Sequence, residues 1–318
     1  MDGIAMNPRR IVITGAAGFT GRHACAHFAA LGYDVVAVVR RPGSLQPPDG
    51  AAGIRVTEAV CSLDHADEVE QLLADTRPQE LLHLAGLGAV AESWREPMTF
   101  VETNVMGTLR LLDALRRLGA DDCRVVVAGS MLGAAALSSA RPSLPPHPYG
   151  LSKAAQVLLA RWWGALFGLP VMIGQPSNLI GPGHSAGICG LLADRIARAE
   201  AGLGEPEFRL SSATEARDFV DVRDAVRAYE LILRRGTPGV VYGIGTGYSR
   251  TLGEVASRML ERTAVPFRLT VGEAADAPQT RVDLQATRAL GWQPAIPFRK
   301  SIDDILAYYR NEIGKGVR

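Results

Sequence analysis

"RIVITGAAGFTGRH", residues 10–23, reads as a strand, a tight turn and the start of a helix. The run "RIVIT" is rich in β-branched residues, as a strand buried on both faces requires. Gly15, Gly18 and Gly21 follow at spacings of three, and "GRHACAHFAALG" continues as an amphipathic helix. Glycine at a strand-to-helix turn lets the backbone approach a pyrophosphate, and the start of the helix offers unpaired N–H groups to the anion. Three glycines alone would also suit a turn that binds nothing. Their place, directly after the first strand of an alternating chain, favours a dinucleotide site.

Outward from that turn the alternation persists. "DVVAVVR", "ELLHLAG" and "RVVVAGS" read as strands, whereas "HADEVEQLLADT" and "VMGTLRLLDALRRLG" read as helices. Strands that alternate with helices imply right-handed βαβ units and a parallel sheet. The expected class is therefore α/β, a doubly wound parallel sheet. After "KAAQVLLARWWGALFG" and one more strand, "PVMIGQP", Gly, Pro and polar residues dominate. This change implies a smaller, interleaved C-terminal lobe. The expected division is 7–175 plus 218–247 for the dinucleotide-binding domain, and 176–217 plus 248–313 for the substrate lobe.

The chain has 318 residues, 47% of them hydrophobic and 21% charged, which suits a folded globular protein. A formal net charge of +1 and the lack of a long basic run give no reason to expect nucleic acid or an anionic membrane. Cys25, Cys61, Cys123 and Cys189 show no C-x-x-C spacing, which argues against a metal site or a disulfide framework. "MDGIAMNPRR" lacks an apolar signal core, and no run reaches membrane-spanning length. The expected location is the cytoplasm.

The end of the second strand discriminates between dinucleotides, because an acidic residue there accepts from the ribose 2′-hydroxyl of NAD. Here Val39 is followed by Arg40 and Arg41, whose guanidinium groups suit a 2′-phosphate. NADP(H) is therefore the preferred cofactor, with NAD(H) as the alternative. A second constellation lies further on: Ser130 ends "RVVVAGS", and "YGLSK" places Tyr149 and Lys153 one helical turn apart. Strand carboxyl ends are where open parallel sheets place their chemistry. Tyrosine is a weak acid on its own, and a nearby ammonium favours tyrosinate. In this order Ser130, Tyr149 and Lys153 read as a catalytic triad.

The ordered motifs "TGAAGFTG", "HLAG" (83–86), "NVMGT" (104–108), "YGLSK", "PSNLIGPG" (176–183), "RDFVDVRDA" (217–225) and "LGWQP" (290–294) resemble those of the extended short-chain dehydrogenase/reductases, which include nucleotide-sugar epimerases, dehydratases and reductases. The resemblance covers nearly the whole chain and implies a Rossmann-type sheet. It also implies that Gly15, Gly18, Phe19, Thr20, Gly21, Leu84, Ala85, Gly86 and Pro176 contact the cofactor together with Arg40, Arg41, Tyr149 and Lys153. Asn104 would support the lysine and line the cofactor site. Met131, Asn178, Arg217 and Arg281 would face the substrate, and a homodimer would form through a four-helix bundle.

Within the family the pattern is most similar to GDP-4-keto-6-deoxymannose reductases, which implies a nucleotide-sugar substrate. Elimination of water needs a carboxylate base and an acid, and the resemblance implies an acidic residue just after the catalytic Ser or Thr, where this chain has Met131 and Leu132. A dehydratase is thereby disfavoured. Gln175 and Glu273–Ala274 stand where arginines are common, and Cys61 or Ser62 replaces an Asp that meets the adenine. These departures keep three alternatives open: a C4 epimerase, a reductase of a natural-product ketone without a diphosphate, and a non-catalytic dinucleotide sensor.

Overall fold

The computed structural model describes residues 8–45, 56–134, 147–272 and 281–316. In chain order the first strands and helices are β1 (Arg10–Thr14), α1 (Phe19–Ala30), β2 (Asp34–Val39), β3 (Val56–Val60), α2 (Ala66–Thr76), β4 (Glu80–His83), α3 (Val90–Arg95) and α4 (Pro97–Val101). A π-helical turn, Glu102–Met106, leads into α5 (Gly107–Arg117). Next come β5 (Arg124–Ala128), α6 (Met131–Ala134), α7 (Pro148–Phe167), β6 (Val171–Pro176), β7 (Asn178–Ile180), α8 (Ile188–Glu200), β8 (Glu207–Leu210) and β9 (Ala216–Asp221). The chain closes with α9 (Val222–Arg235), β10 (Val241–Ile244), β11 (Ser249–Thr251), α10 (Leu252–Leu260), β12 (Arg268–Val271), α11 (Gln285–Ala289) and α12 (Phe298–Gly316).

Among the described residues seven strands form one sheet in the order β10-β6-β5-β4-β1-β2-β3. The ladders from β3 through β2, β1, β4 and β5 to β6 are all parallel. Burial explains their composition: β1, β2, β4, β5 and β6 are buried along nearly their whole length, so they read as apolar runs rather than alternating ones. Val12, Leu81, Val125 and Ile173 of these strands pack against Leu72 and Leu73 of α2, Leu111 and Leu115 of α5, and Val157 of α7. Strand order reverses between β1 and β4, and such a switch point opens a crevice at the strand carboxyl ends.

The chain forms two compact units, one holding the described residues up to Gln175 with Val226–Tyr242, the other Pro176–Ala225 with Gly243 onward. This corrects the expected boundaries, which put residues 218–225 and 243–247 in the first domain. The physical reason is pairing: β9 runs antiparallel to β11 and parallel to β7 in a separate three-stranded sheet. Gly243 is likewise held by the second unit, where Thr287 Oγ1 donates to its carbonyl. The second unit also contains the pair β12–β8 and a core of Leu192, Ile196, Val255, Met259, Ile302 and Leu306 from α8, α10 and α12. Among the described residues no helix is long and apolar enough to cross a membrane.

Candidate active site

The turn after β1 is built for close backbone approach. Gly15 has φ +69°, and a Cβ there would lie 2.7 Å from the Ala85 nitrogen. A Cβ on Gly21 would lie 2.1 Å from the Gly15 carbonyl oxygen, so α1 starts directly against the loop. Beside it is a cavity of about 330 Å3 lined by Thr14, Gly15 and Gly18, by Val38 to Arg40, by Cys61 to Asp64, and by Leu84 to Leu87 with Thr103. Glycine backbone, one guanidinium and apolar walls suit a dinucleotide phosphate. Of the expected cofactor residues, Phe19, Thr20, Gly21, Arg41, Asn104, Tyr149, Lys153 and Pro176 do not line this cavity. Pro176 falls in the second unit. Asp64, a carboxylate beside Ser62 in the same wall, was not singled out by the sequence.

A buried polar chain ties this loop to α7. Thr108 Oγ1 donates to the Asn104 carbonyl and accepts from Gln156 Nε2, so it can only accept from His83 Nε2, 2.8 Å away. His83 is therefore the Nε2–H tautomer, and its Nδ1 accepts from Thr14 Oγ1 at 2.7 Å. Thr14 Oγ1 in turn accepts from the Ala85 amide. Burial, and secondarily the Lys153 charge, push the His83 imidazole down to about 3, in keeping with a neutral ring.

Asn104 sits in the π-helical turn and is fully buried. It was expected to support Lys153, but its carboxamide pairs with both backbone groups of Leu87 and donates to Ser152 Oγ at 2.9 Å. The Lys153 ammonium donates instead to the Ala128 carbonyl at the end of β5, at 2.6 Å. Ser130, two residues later, hydrogen-bonds the Tyr149 hydroxyl. The structure thus brings Ser130 to Tyr149 and ties Lys153, one turn along α7, to the end of the strand that precedes Ser130. Gln175 replaces an expected cation and donates to the Ser130 carbonyl at 2.9 Å. Met131 opens α6 beside them.

The Tyr149 shift runs opposite to the lowering expected from Lys153 together with an oxidised nicotinamide. Burial raises Tyr149 above the ordinary phenol value, opposed by the Ser130 hydrogen bond. Burial also pushes the Lys153 ammonium down to about 7. Desolvation is the larger cause at Tyr149 and the cause at Lys153, and it favours the neutral form of each.

In the second unit, Asn178 Nδ2 donates to the Asp218 carbonyl at 2.9 Å, which ties β7 to β9. Arg217 is paired with Glu215 at 2.7 Å, and Arg281 is exposed. Glu273 and Ala274 lie outside the described residues. All four cysteines are buried free thiols.

With this geometry in place, comparison with known proteins is informative. The profile of the NAD dependent epimerase/dehydratase family matches residues 11–245. The chain belongs to that family. It is 28% identical to a GDP-6-deoxy-D-mannose reductase of Pseudomonas aeruginosa, across 96% of this chain and 98% of that protein. A UDP-glucose 4-epimerase of Mycolicibacterium smegmatis is 27% identical, across 95% and 99%. The structure of RMD from Pseudomonas aeruginosa complexed with NADPH superposes with a TM-score of 0.77 at 28% identity, covering 96% of this chain and 100% of that one. The chain is thus an NAD(P)-dependent enzyme of a family whose members include reductases, epimerases and dehydratases of nucleotide sugars.

The Lys153 shift makes a signed prediction. Its folded value, about 7, lies below the unfolded value, so between about 7 and 10.5 the unfolded chain binds the extra proton. The burial penalty is complete below pH 7 and fades as pH rises. Wild type should therefore gain stability on Lys153→Met between pH 7 and 10, by up to about 1.4 kcal/mol per pH unit. Denaturant unfolding of both proteins across that range measures it; a constant difference would refute the buried ammonium.

Proposed function

We propose that this enzyme is an NADPH-dependent reductase of a 4-keto deoxysugar nucleotide, of the GDP-4-keto-6-deoxymannose type. One observation carries the reading: a Ser130–Tyr149 pair in which burial raises the tyrosine above the ordinary phenol value, followed by Met131 where the family's dehydratases would carry an acid. The similarity to a GDP-6-deoxy-D-mannose reductase and to a structure complexed with NADPH supports it. In this reading the first unit holds the dinucleotide and the second the sugar nucleotide. Gly15, Gly18 and Arg40 line the cavity that would hold NADPH, which when bound would supply the hydride for the carbonyl carbon. Tyr149 gives its hydroxyl proton to the carbonyl oxygen, which Ser130 orients. The resulting tyrosinate is stabilised by the Ser130 hydroxyl and by the Lys153 ammonium, one turn along α7.

Tyr149→Phe should lower kcat by roughly 100-fold or more while NADPH affinity stays near wild type, because the ring remains and only the proton donor is removed. A parallel loss of both would assign Tyr149 to binding rather than proton transfer.

Arg40, in the wall of the cavity, faces the 2′-phosphate in this reading. Arg40→Asp should reverse the preference from NADPH toward NADH, since it substitutes a repulsive group that accepts from a ribose hydroxyl. The ratio of the two kcat/KM values measures this, and an unchanged ratio removes the assignment.

Arg217 supports a second reading, a ketone substrate without a diphosphate, because Glu215 already occupies its guanidinium. Under the leading reading Arg217 exchanges Glu215 for phosphate. Its loss then costs about 2 kcal/mol or more, so Arg217→Ala should raise the KM for the sugar nucleotide by roughly tenfold or more. Unchanged kinetics would favour the neutral ketone.

A homodimer in the cytoplasm completes the proposal. Leu151, Trp162 and Leu166 of α7 are 54%, 58% and 77% exposed, whereas Trp163 packs on the core. An apolar stripe of this kind suits helix-to-helix pairing with a second copy. Light scattering at micromolar concentration should report twice the chain mass; the monomer mass would contradict it.

A further inference from the structure

The helix that carries Tyr149 and Lys153 begins at a residue outside the triad. His147 is the N-cap of α7, with extended φ and ψ of −162° and 159°. Its Nδ1 accepts from the Gly150 amide at 2.9 Å. A backbone amide can only donate, so Nδ1 carries no proton and the neutral ring is the Nε2–H tautomer. The same imidazole stacks on the Tyr149 ring, with centroids 5.8 Å apart and planes 21° apart. Phe100, fully buried, closes the other contact of that ring edge-on at 6.3 Å. Gly150 leaves room for this arrangement: a Cβ there would lie 3.2 Å from His147 Cε1 and 2.9 Å from the Leu132 carbonyl oxygen.

We propose that His147 is a positioning residue for Tyr149, holding the phenol ring by stacking and the first turn of the catalytic helix by capping. The inference rests on the reading of Tyr149 as the proton donor. Two restraints act on one short segment. The cap fixes the backbone turn from which the ring projects, and stacking removes the freedom of the ring about its side-chain torsions. Proton transfer is sensitive to small displacements of the donor, so a loosened ring costs turnover rather than cofactor binding. An ordinary capping residue would supply the first restraint alone.

The two restraints separate by substitution. His147→Asn keeps a side-chain acceptor for the Gly150 amide and loses the ring, His147→Phe keeps a ring and loses the acceptor, and His147→Ala loses both. In tyrosine-labelled protein, with the Tyr149 signal assigned by Tyr149→Phe, the ring resonances should shift in the Ala and Asn variants. They should stay near their wild-type positions in the Phe variant. Exchange of the Gly150 amide should quicken in Ala and Phe and stay slow in Asn. With GDP-4-keto-6-deoxymannose and NADPH, the Ala variant should show kcat lower by about tenfold or more, with the NADPH KM within about twofold of wild type. Asn and Phe should each restore part of that loss. Unmoved Tyr149 resonances in His147→Ala would overturn the proposal, as would equal kcat in wild type and Ala while Tyr149→Phe is inactive. If Tyr149→Phe is itself active, the proton-donor reading fails, and the resonance shifts alone decide whether His147 positions the ring.

Discussion

The bond from the Lys153 ammonium to the Ala128 carbonyl is the constraint on which the candidate site depends. A buried ammonium is costly unless its protons find acceptors, and here a main-chain carbonyl at the end of β5 provides one. The bond ties α7 to the strand that delivers Ser130. Two glycines let the surfaces meet: a Cβ on Gly129 would lie 3.2 Å from Val157, and one on Gly133 would lie 2.8 Å from the Ala154 amide.

From that clamp the polar network spreads without adding charge. Asn104 reaches from Leu87 to Ser152, whose hydroxyl donates to the Tyr149 carbonyl. His83, held as a neutral tautomer, joins the glycine loop to Gln156 through Thr108. Burial acts on each titratable member toward its neutral form, up for Tyr149 and down for Lys153 and His83. A neutral phenol is a form that can give a proton to a substrate oxygen, as the proposed reduction requires.

Much of this was legible in the residues. The glycine spacing after "RIVIT" and the apolar strands define the parallel sheet because periodicity and turn chemistry are local properties. The Tyr149–Lys153 spacing could be read because helical periodicity puts residues four apart on one face, and both lie in α7. Three features escaped for physical reasons. The sign of the Tyr149 shift depends on burial, which a count of neighbouring cations omits. Asn104 lies in a π-helical turn, which no local pattern announces, and its carboxamide pairs with Leu87 and Ser152. His147 stood in a Pro-rich loop and is not among the usual capping residues. The Glu215–Arg217 pair did leave a signal, since residues two apart on a strand share a face. The expected boundary at residue 218 failed because β9 looks like a continuation of α9 in sequence but pairs with β7 and β11.

The central claim is net reduction, with NADPH oxidised and released. The direct measurement mixes the purified enzyme with a known excess of NADPH and a limiting amount of GDP-4-keto-6-deoxymannose, then counts cofactor oxidised against sugar converted. The account predicts equal molar amounts of NADP and of a 4-hydroxy sugar nucleotide. Conversion between C4 epimers of a supplied nucleotide sugar with no net loss of NADPH would contradict it.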